Sequence, residues 1–190
     1  LGGVTRSTAD IIRGLSDGYL HEMIAVQAGR GLPPLPNADV VVIHFTVNWA
    51  KLPYLAALRV RLGRTPLVLV EHSYTEAYES LLVPDRRRFR AMLSLNYALC
   101  NRVVPVSRAQ RQWLLDARIA AGPKLAVVPH GRDLSSLAAV PPARRADGPL
   151  RLAAYGRYAP QKGFDVLIEA MRLVPPSVAR LDMRGLGPDH

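Results

Sequence analysis

The stretch "LRLAAYGRYAPQKGFDVLIEAM", residues 150–171, decides how the chain folds. It opens on an apolar run of strand length, turns between Gly156 and Gly163, and closes on Phe164, Leu167, Ile168 and Met171 at helical spacing. Strand, glycine-bounded turn and helix in that order make one α/β unit. Runs of the same kind lie on either side: "MIAV" (23–26), "DVVVIHF" (39–45), "PLVLVEH" (66–72), "RVVPVS" (102–107), "LAVVP" (125–129) and "ARLDMRG" (179–185). They are rich in valine and leucine and often do not alternate, as expected of strands covered on both faces. Helical spacing fills the intervals, as in "STADIIRGL" (7–15), where Ile11, Ile12 and Leu15 share a stripe behind Ser7 as N-cap. The expected fold class is α/β with parallel sheets.

The segment "SSLAAVPPARRADGP" (135–149) breaks this rhythm with prolines, alanines and small polar residues, and reads as a linker. Residues 1–134 then form one Rossmann-like unit, and residues 150–190 begin a second. The opening "LGGVTRSTAD" has no initiator methionine, no signal-like segment and no strand before its glycine pair, so the expectation is a chain cut from a longer one.

The 190 residues carry 25 Lys and Arg against 15 Asp and Glu, a formal charge of +10, so an anionic partner is expected. With 49% hydrophobic residues a buried core is expected too. Only 6% of residues are aromatic and no stacking platform stands out, which disfavours nucleic acid. The single cysteine, Cys100, excludes an internal disulfide and reads as a small core residue. No apolar run approaches the roughly 18 residues that cross a bilayer, and the expected location is cytoplasmic. No phosphate-loop, nucleophile-elbow or paired-aspartate motif appears, and no metal or cofactor is expected.

Ligands of open parallel sheets bind beyond the carboxyl ends of the strands, where loops converge and helix amino termini offer free N–H groups. His72, Ser107, His130 with Gly131, and Gly156 with Arg157 stand at such ends. Ser107 and His130, taken singly, read more simply as a helix cap and a polar loop residue. The turn after the fourth of these ends asks more: Arg157 begins it, Pro160 stiffens it, and Lys162 and Gly163 lead into the helix. A planar guanidinium and a mobile ammonium beside a helix start suit a diphosphate, whose charge grows as it departs. Two solvated surface cations are the alternative. Elsewhere "PDRRRFRAMLSLNYALC" (84–100) predicts an amphipathic helix with Arg86, Arg87, Arg88 and Arg90 near its start and Phe89, Leu93, Tyr97 and Cys100 on its apolar stripe. Arginines there oppose the helix dipole, so an anion nearby, such as an acidic membrane surface or an acceptor phosphate, would relieve an electrostatic cost; a solvated basic face is the simpler account.

In order and spacing, Gly2-Gly3-Val4, "VEHS" (70–73), "VVPVSRAQRQWL" (103–114), "VVPHGRD" (127–133), "YGRYAPQKGFDVLIEAM" (155–171) and "RGLGP" (184–188) resemble the retaining, sugar-nucleotide-dependent glycosyltransferases of family 4, which have the GT-B fold. The resemblance implies two Rossmann-like domains facing a cleft, the first for the acceptor and the second for a nucleotide-diphosphate sugar. It implies that Arg157 and Lys162 bind the donor diphosphate, with Gly156 and Gly163 framing them. Gly2 and Gly3 would form a glycine loop close to the diphosphate or acceptor. His72 would orient the transferred sugar and acceptor, with Ser107, His130 and Gly131 on the substrate side. It further implies metal-independent transfer to a carbohydrate, glycolipid or other hydroxyl acceptor, with peripheral contact with an anionic membrane. His130 stands where asparagine is frequent in the family, and the paired-glutamate motif is absent, so poor transfer by these 190 residues alone is expected. Another GT-B enzyme, such as a sugar-nucleotide epimerase, or a basic phosphate- or membrane-binding module, is the alternative.

Overall fold

Three of the apolar runs become one parallel sheet, β1 (Val41–Ile43), β2 (Leu67–Glu71) and β3 (Arg102–Pro105), in the order β1-β2-β3. The register sets Ile43 beside Leu69 and Glu71 beside Pro105, so β2 and β3 finish at one level and β1 two residues before it. The computed structural model describes residues 3–26, 31–35, 37–73, 75–131 and 147–187. It divides into two units, Leu1–Leu134 and Ser135–His190. Both are α/β with parallel strands.

In the first unit, α1 (Gly3–Gly14) comes first, and α2 (Leu52–Leu62) follows a 3₁₀ turn at Trp49–Lys51. The β2-to-β3 connection carries α3 (Thr75–Leu82) and α4 (Arg86–Ala98), and α5 (Arg108–Asp116) follows β3. Alternate β2 residues Leu67 and Leu69 are fully buried against Leu55 and Leu58 of α2 and Met92, Leu93 and Tyr97 of α4 in one core. Cys100 lies in that core, and burial pushes its thiol up to about 11. It is therefore a packing group, uncharged at neutral pH.

In the second unit β4 (Leu150–Tyr155) pairs in parallel with β5 (Ala179–Arg184), joined by α6 (Phe164–Arg172). Its coverage is thinner: Tyr155 is 87% and Val166 68% exposed, and the helix has no buried residue.

Three expectations need correction. Residues 23–26 form no strand, and Met23 and Val26 are 60% and 47% exposed, so little apolar burial supports one there. Residues 125–129 form none either, although Leu125 bridges Val103 in parallel and the amides of Ala126 and Val128 donate to the Val103 and Pro105 carbonyls at 3.1 and 3.2 Å. The segment thus runs beside β3 without completing a ladder. Ser7 caps nothing: α1 begins four residues earlier, at Gly3, and Ser7 is inside it. Gly3 is accordingly helical, not part of a loop. Gly2 and the stretch 132–146, which includes most of the expected linker and Asp133, lie outside the described residues.

Candidate functional site

At the carboxyl edge of the first unit's sheet, side chains leaving successive parallel segments meet. His44 is one residue past β1, His72 one residue past β2, and His130 follows the segment beside β3. His44 Nδ1 lies 2.9 Å from His72 Nε2, and His72 Nδ1 lies 3.1 Å from His130 Nε2. The outer ring of His130 stacks on His72 at 4.9 Å between centroids and 11° between planes. The three rings make a line of hydrogen bonds with both nitrogens of the middle ring engaged. Burial, then the neighbouring His130, lowers the His44 pKa. Burial, then His44 and His130, takes His72 from 6.5 to about 4. Both rings are therefore neutral at pH 7.

The edge is held by buried polar groups. Glu71 ends β2 at 2% exposure, and its carboxylate accepts from the Tyr97 hydroxyl at 2.7 Å and from the Ser73 amide at 2.9 Å. Those bonds bracket His72 in sequence and fix the turn that presents it. Ser107 accepts from the Gln110 amide at 3.1 Å and caps α5, as its simpler reading had it. Gln110 returns the favour to the loops: its Oε1 accepts from the Val106 amide at 2.9 Å and its Nε2 donates to the Ser73 carbonyl at 2.7 Å. Lys51 donates to the Thr46 carbonyl at 2.8 Å, which brings a cation to the loop after His44. Gly131 follows His130 and is exposed.

Sequence reasoning found His72 and His130 but left His44 inside a strand, and it missed Glu71 and Gln110. His44 was findable by the rule applied to the others, as the polar residue next to the end of an apolar run. Glu71 was not, because a carboxylate inside "VLVEH" shows its use only when Tyr97 arrives from α4.

In the second unit the loops after β4 and β5 run side by side. The Gly156 amide donates to the Arg184 carbonyl at 3.0 Å and the Tyr158 amide to the Leu186 carbonyl at 3.1 Å. Pro160–Lys162 is a 3₁₀ turn, and Gly163, with φ 62°, adopts the left-handed conformation that lets α6 start at once. Lys162 turns back over the start of the loop: a methyl group placed on Gly156 would lie 4.0 Å from its Cε. Arg157 and Lys162 are exposed, and neither forms an ion pair with the described residues. Asp165 occupies the first turn of α6.

The basic helix expected at 84–100 is α4, with two corrections. Asp85 caps it by accepting from the Arg88 amide at 2.9 Å, so the chain itself supplies the anion that its dipole wants. Arg90 is not on a solvated face: its Nε and Nη2 grip both carboxylate oxygens of buried Glu79 at 2.6 and 2.8 Å. Arg86, Arg87 and Arg88 stay exposed.

Residues 26–136 match the model of Glycosyltransferase Family 4. The chain belongs to that family. The match covers more than half of the 190 residues, including the whole β1-β2-β3 sheet and its three histidines. A glycosyltransferase domain of this kind binds a sugar donor and an acceptor. No curated protein matches the chain. No helix among the described residues is long and apolar enough to cross a membrane, and no group of three or more His, Cys, Asp or Glu side chains among them could hold a metal ion.

Proposed function

We propose that the chain belongs to a retaining GT-B glycosyltransferase that moves a sugar, of hexose type, from a nucleotide-diphosphate donor to an acceptor hydroxyl in polysaccharide, lipopolysaccharide or glycolipid synthesis. The first unit handles the acceptor and the second the donor. The observation that carries the reading is the family match across the sheet whose carboxyl edge gathers His44, His72 and His130. Neutral imidazoles suit that edge, since they can orient a hydroxyl by accepting or donating without burying charge.

In the second unit Arg157 and Lys162 neutralise the donor diphosphate. Arginine presents a fork to two oxygens, and lysine follows the oxygen on which charge grows as the sugar–phosphate bond breaks. Gly156 and Gly163 keep the backbone low enough for phosphate oxygens to approach, and the amide groups opening α6 add partial positive charge. The acceptor oxygen forms the new bond on the face the phosphate leaves, and its proton passes to the departing phosphate.

Titration of the isotopically labelled chain with UDP and GDP tests the donor site. Amide shifts should centre on residues 156–163 and weaken about tenfold or more in Lys162→Gln and Arg157→Gln, since a charge-assisted hydrogen bond is worth roughly 1.5–3 kcal/mol. Shifts centred elsewhere, or untouched by both substitutions, would overturn the assignment.

One surface also favours peripheral contact with an anionic membrane. Leu81 and Leu82 are 74% and 57% exposed just before exposed Arg86, Arg87 and Arg88, and Arg88 also lines a cavity of about 240 Å³ with Trp49, Pro84 and Phe89. Flotation with vesicles containing phosphatidylserine, but not with neutral vesicles, is the expected result; equal recovery from both removes this contact.

A further inference from the structure

A neutral imidazole has one N–H and one lone pair, so a ring with both nitrogens hydrogen-bonded must donate with one and accept with the other. His72 is such a ring, between His44 Nδ1 and His130 Nε2. If His72 donates from Nδ1, then His130 Nε2 accepts and His44 Nδ1 donates, which makes all three rings Nδ1–H tautomers. If His72 donates from Nε2, the chain reverses and all three are Nε2–H. No mixed arrangement of neutral rings satisfies both bonds. The tautomers of residues 44, 72 and 130, the outer two of which are 86 positions apart in sequence, are thus a single variable.

A second consequence concerns access. Both nitrogens of His72 are occupied, so the ring nitrogens left at the ends of the chain are His44 Nε2 and His130 Nδ1. His130 is the exposed ring of the three, and His44 and His72 are half-buried.

We propose that His44 is a positioning residue: through His72 it fixes which nitrogen of His130 carries the proton, and His130 Nδ1, not His72, is the atom that meets the acceptor hydroxyl. In the Nε2–H chain His130 Nδ1 presents a lone pair and accepts from that hydroxyl; in the Nδ1–H chain it presents a proton and donates to the oxygen. The hydroxyl as ligand rests on the glycosyltransferase reading, whereas the coupling of the three rings does not.

Long-range proton–nitrogen correlation spectra of the histidine rings, taken on the whole chain near pH 7.5, test the coupling without any substrate. The wild-type chain should show the same tautomer, or the same ratio of the two, in all three rings. His44→Asp, which can only accept, should hold His72 and His130 as Nε2–H; His44→Phe, which offers no partner, should leave His130 a mixture. His44→Asn, whose side-chain amide can donate or accept, should select neither tautomer but keep His72 and His130 at one shared ratio. Identical His130 nitrogen signals in the Asp and Phe variants would overturn the proposal, as would opposite tautomers at His72 and His130 in the wild type. His72→Phe approaches from the middle of the chain: it should abolish every effect of residue 44 on His130, and persistence of such an effect would count against the coupling. Because this readout is independent of donor binding, it can fail while the UDP and GDP titration succeeds, and the reverse.

Discussion

The Tyr97 hydroxyl reaches from α4 to the end of β2 and donates to Oε2 of Glu71 at 2.7 Å, within a site where both side chains are almost wholly buried. Burial, reinforced by the Glu71 charge, raises the Tyr97 pKa well above its usual value, so the phenol remains a donor throughout the working pH range. The contact joins the helix that fills the core to the residue that precedes His72.

Tyr97→Phe should therefore do more than loosen packing. It keeps the ring but leaves a buried carboxylate with one donor fewer, which costs about 1–3 kcal/mol. Urea unfolding followed through the buried Trp113 should show that loss. The His72 ring signals should shift as well, because the carboxylate that fixes the turn through the Ser73 amide has then lost its partner on α4.

Arg90 and Glu79 carry a second prediction. The arginine side chain is 40% exposed while the glutamate is 4%, so their separate losses are unequal. Arg90→Ala strands a buried carboxylate and should cost roughly 2–3 kcal/mol, below the range for fully buried pairs because water reaches the arginine side. The double variant Glu79→Leu with Arg90→Met removes the stranded charge and should recover most of the loss. The Arg90 hydrogen bond holds the Glu79 pKa below its ordinary 4.5, so the contribution of the pair is present above that pH and is lost as pH falls further.

Acid should act on the histidine chain earlier. The folded chain keeps His72 neutral down to about pH 4, while the unfolded chain protonates it near 6.5. Between those values the unfolded state binds the additional proton, so stability is full above about 6.5 and declines as pH falls toward 4. His44 adds to the slope in the same direction. With allowance for partial exposure, the loss should be on the order of 1–2 kcal/mol. Denaturation midpoints measured at about pH 7, 5.5 and 4.5 should fall in the wild type and fall less in His72→Phe.

How much of this was readable in the residues depended on whether the deciding contact was local. "PLVLVEH" declares β2 because its length and β-branched content suffice, and Ser107 declares a cap because its partner is three residues away. "MIAV" has the same composition as a strand but lacks a neighbouring ladder, which no local pattern reveals. Arg90 looked like part of a basic face until Glu79, eleven residues earlier on another helix, claimed it. The histidine chain was half legible for the same reason: strand ends can be read one by one, whereas the 2.9 and 3.1 Å contacts require knowing that three segments run parallel and side by side.

The glycines of the second unit separate two kinds of constraint and supply a last prediction. Gly163 needs its conformation: φ is 62°, there is open space around its Cα, and Gly163→Ala should cost about 1–2 kcal/mol while leaving the loop in place. Gly185 needs its size instead, because a Cβ there would overlap the Gly156 carbonyl oxygen and press on the Tyr158 ring at 3.2 Å. Backbone cannot yield as a flexible side chain can, so Gly185→Ala should separate the two loops and break the bonds from the Gly156 and Tyr158 amides to Arg184 and Leu186. Both tryptophans are in the first unit, at positions 49 and 113, so amide hydrogen exchange at Gly156 and Tyr158 is the suitable measurement. Exchange should accelerate strongly in Gly185→Ala and only modestly in Gly163→Ala; equal protection in the two variants would mean that the loops do not depend on this close approach.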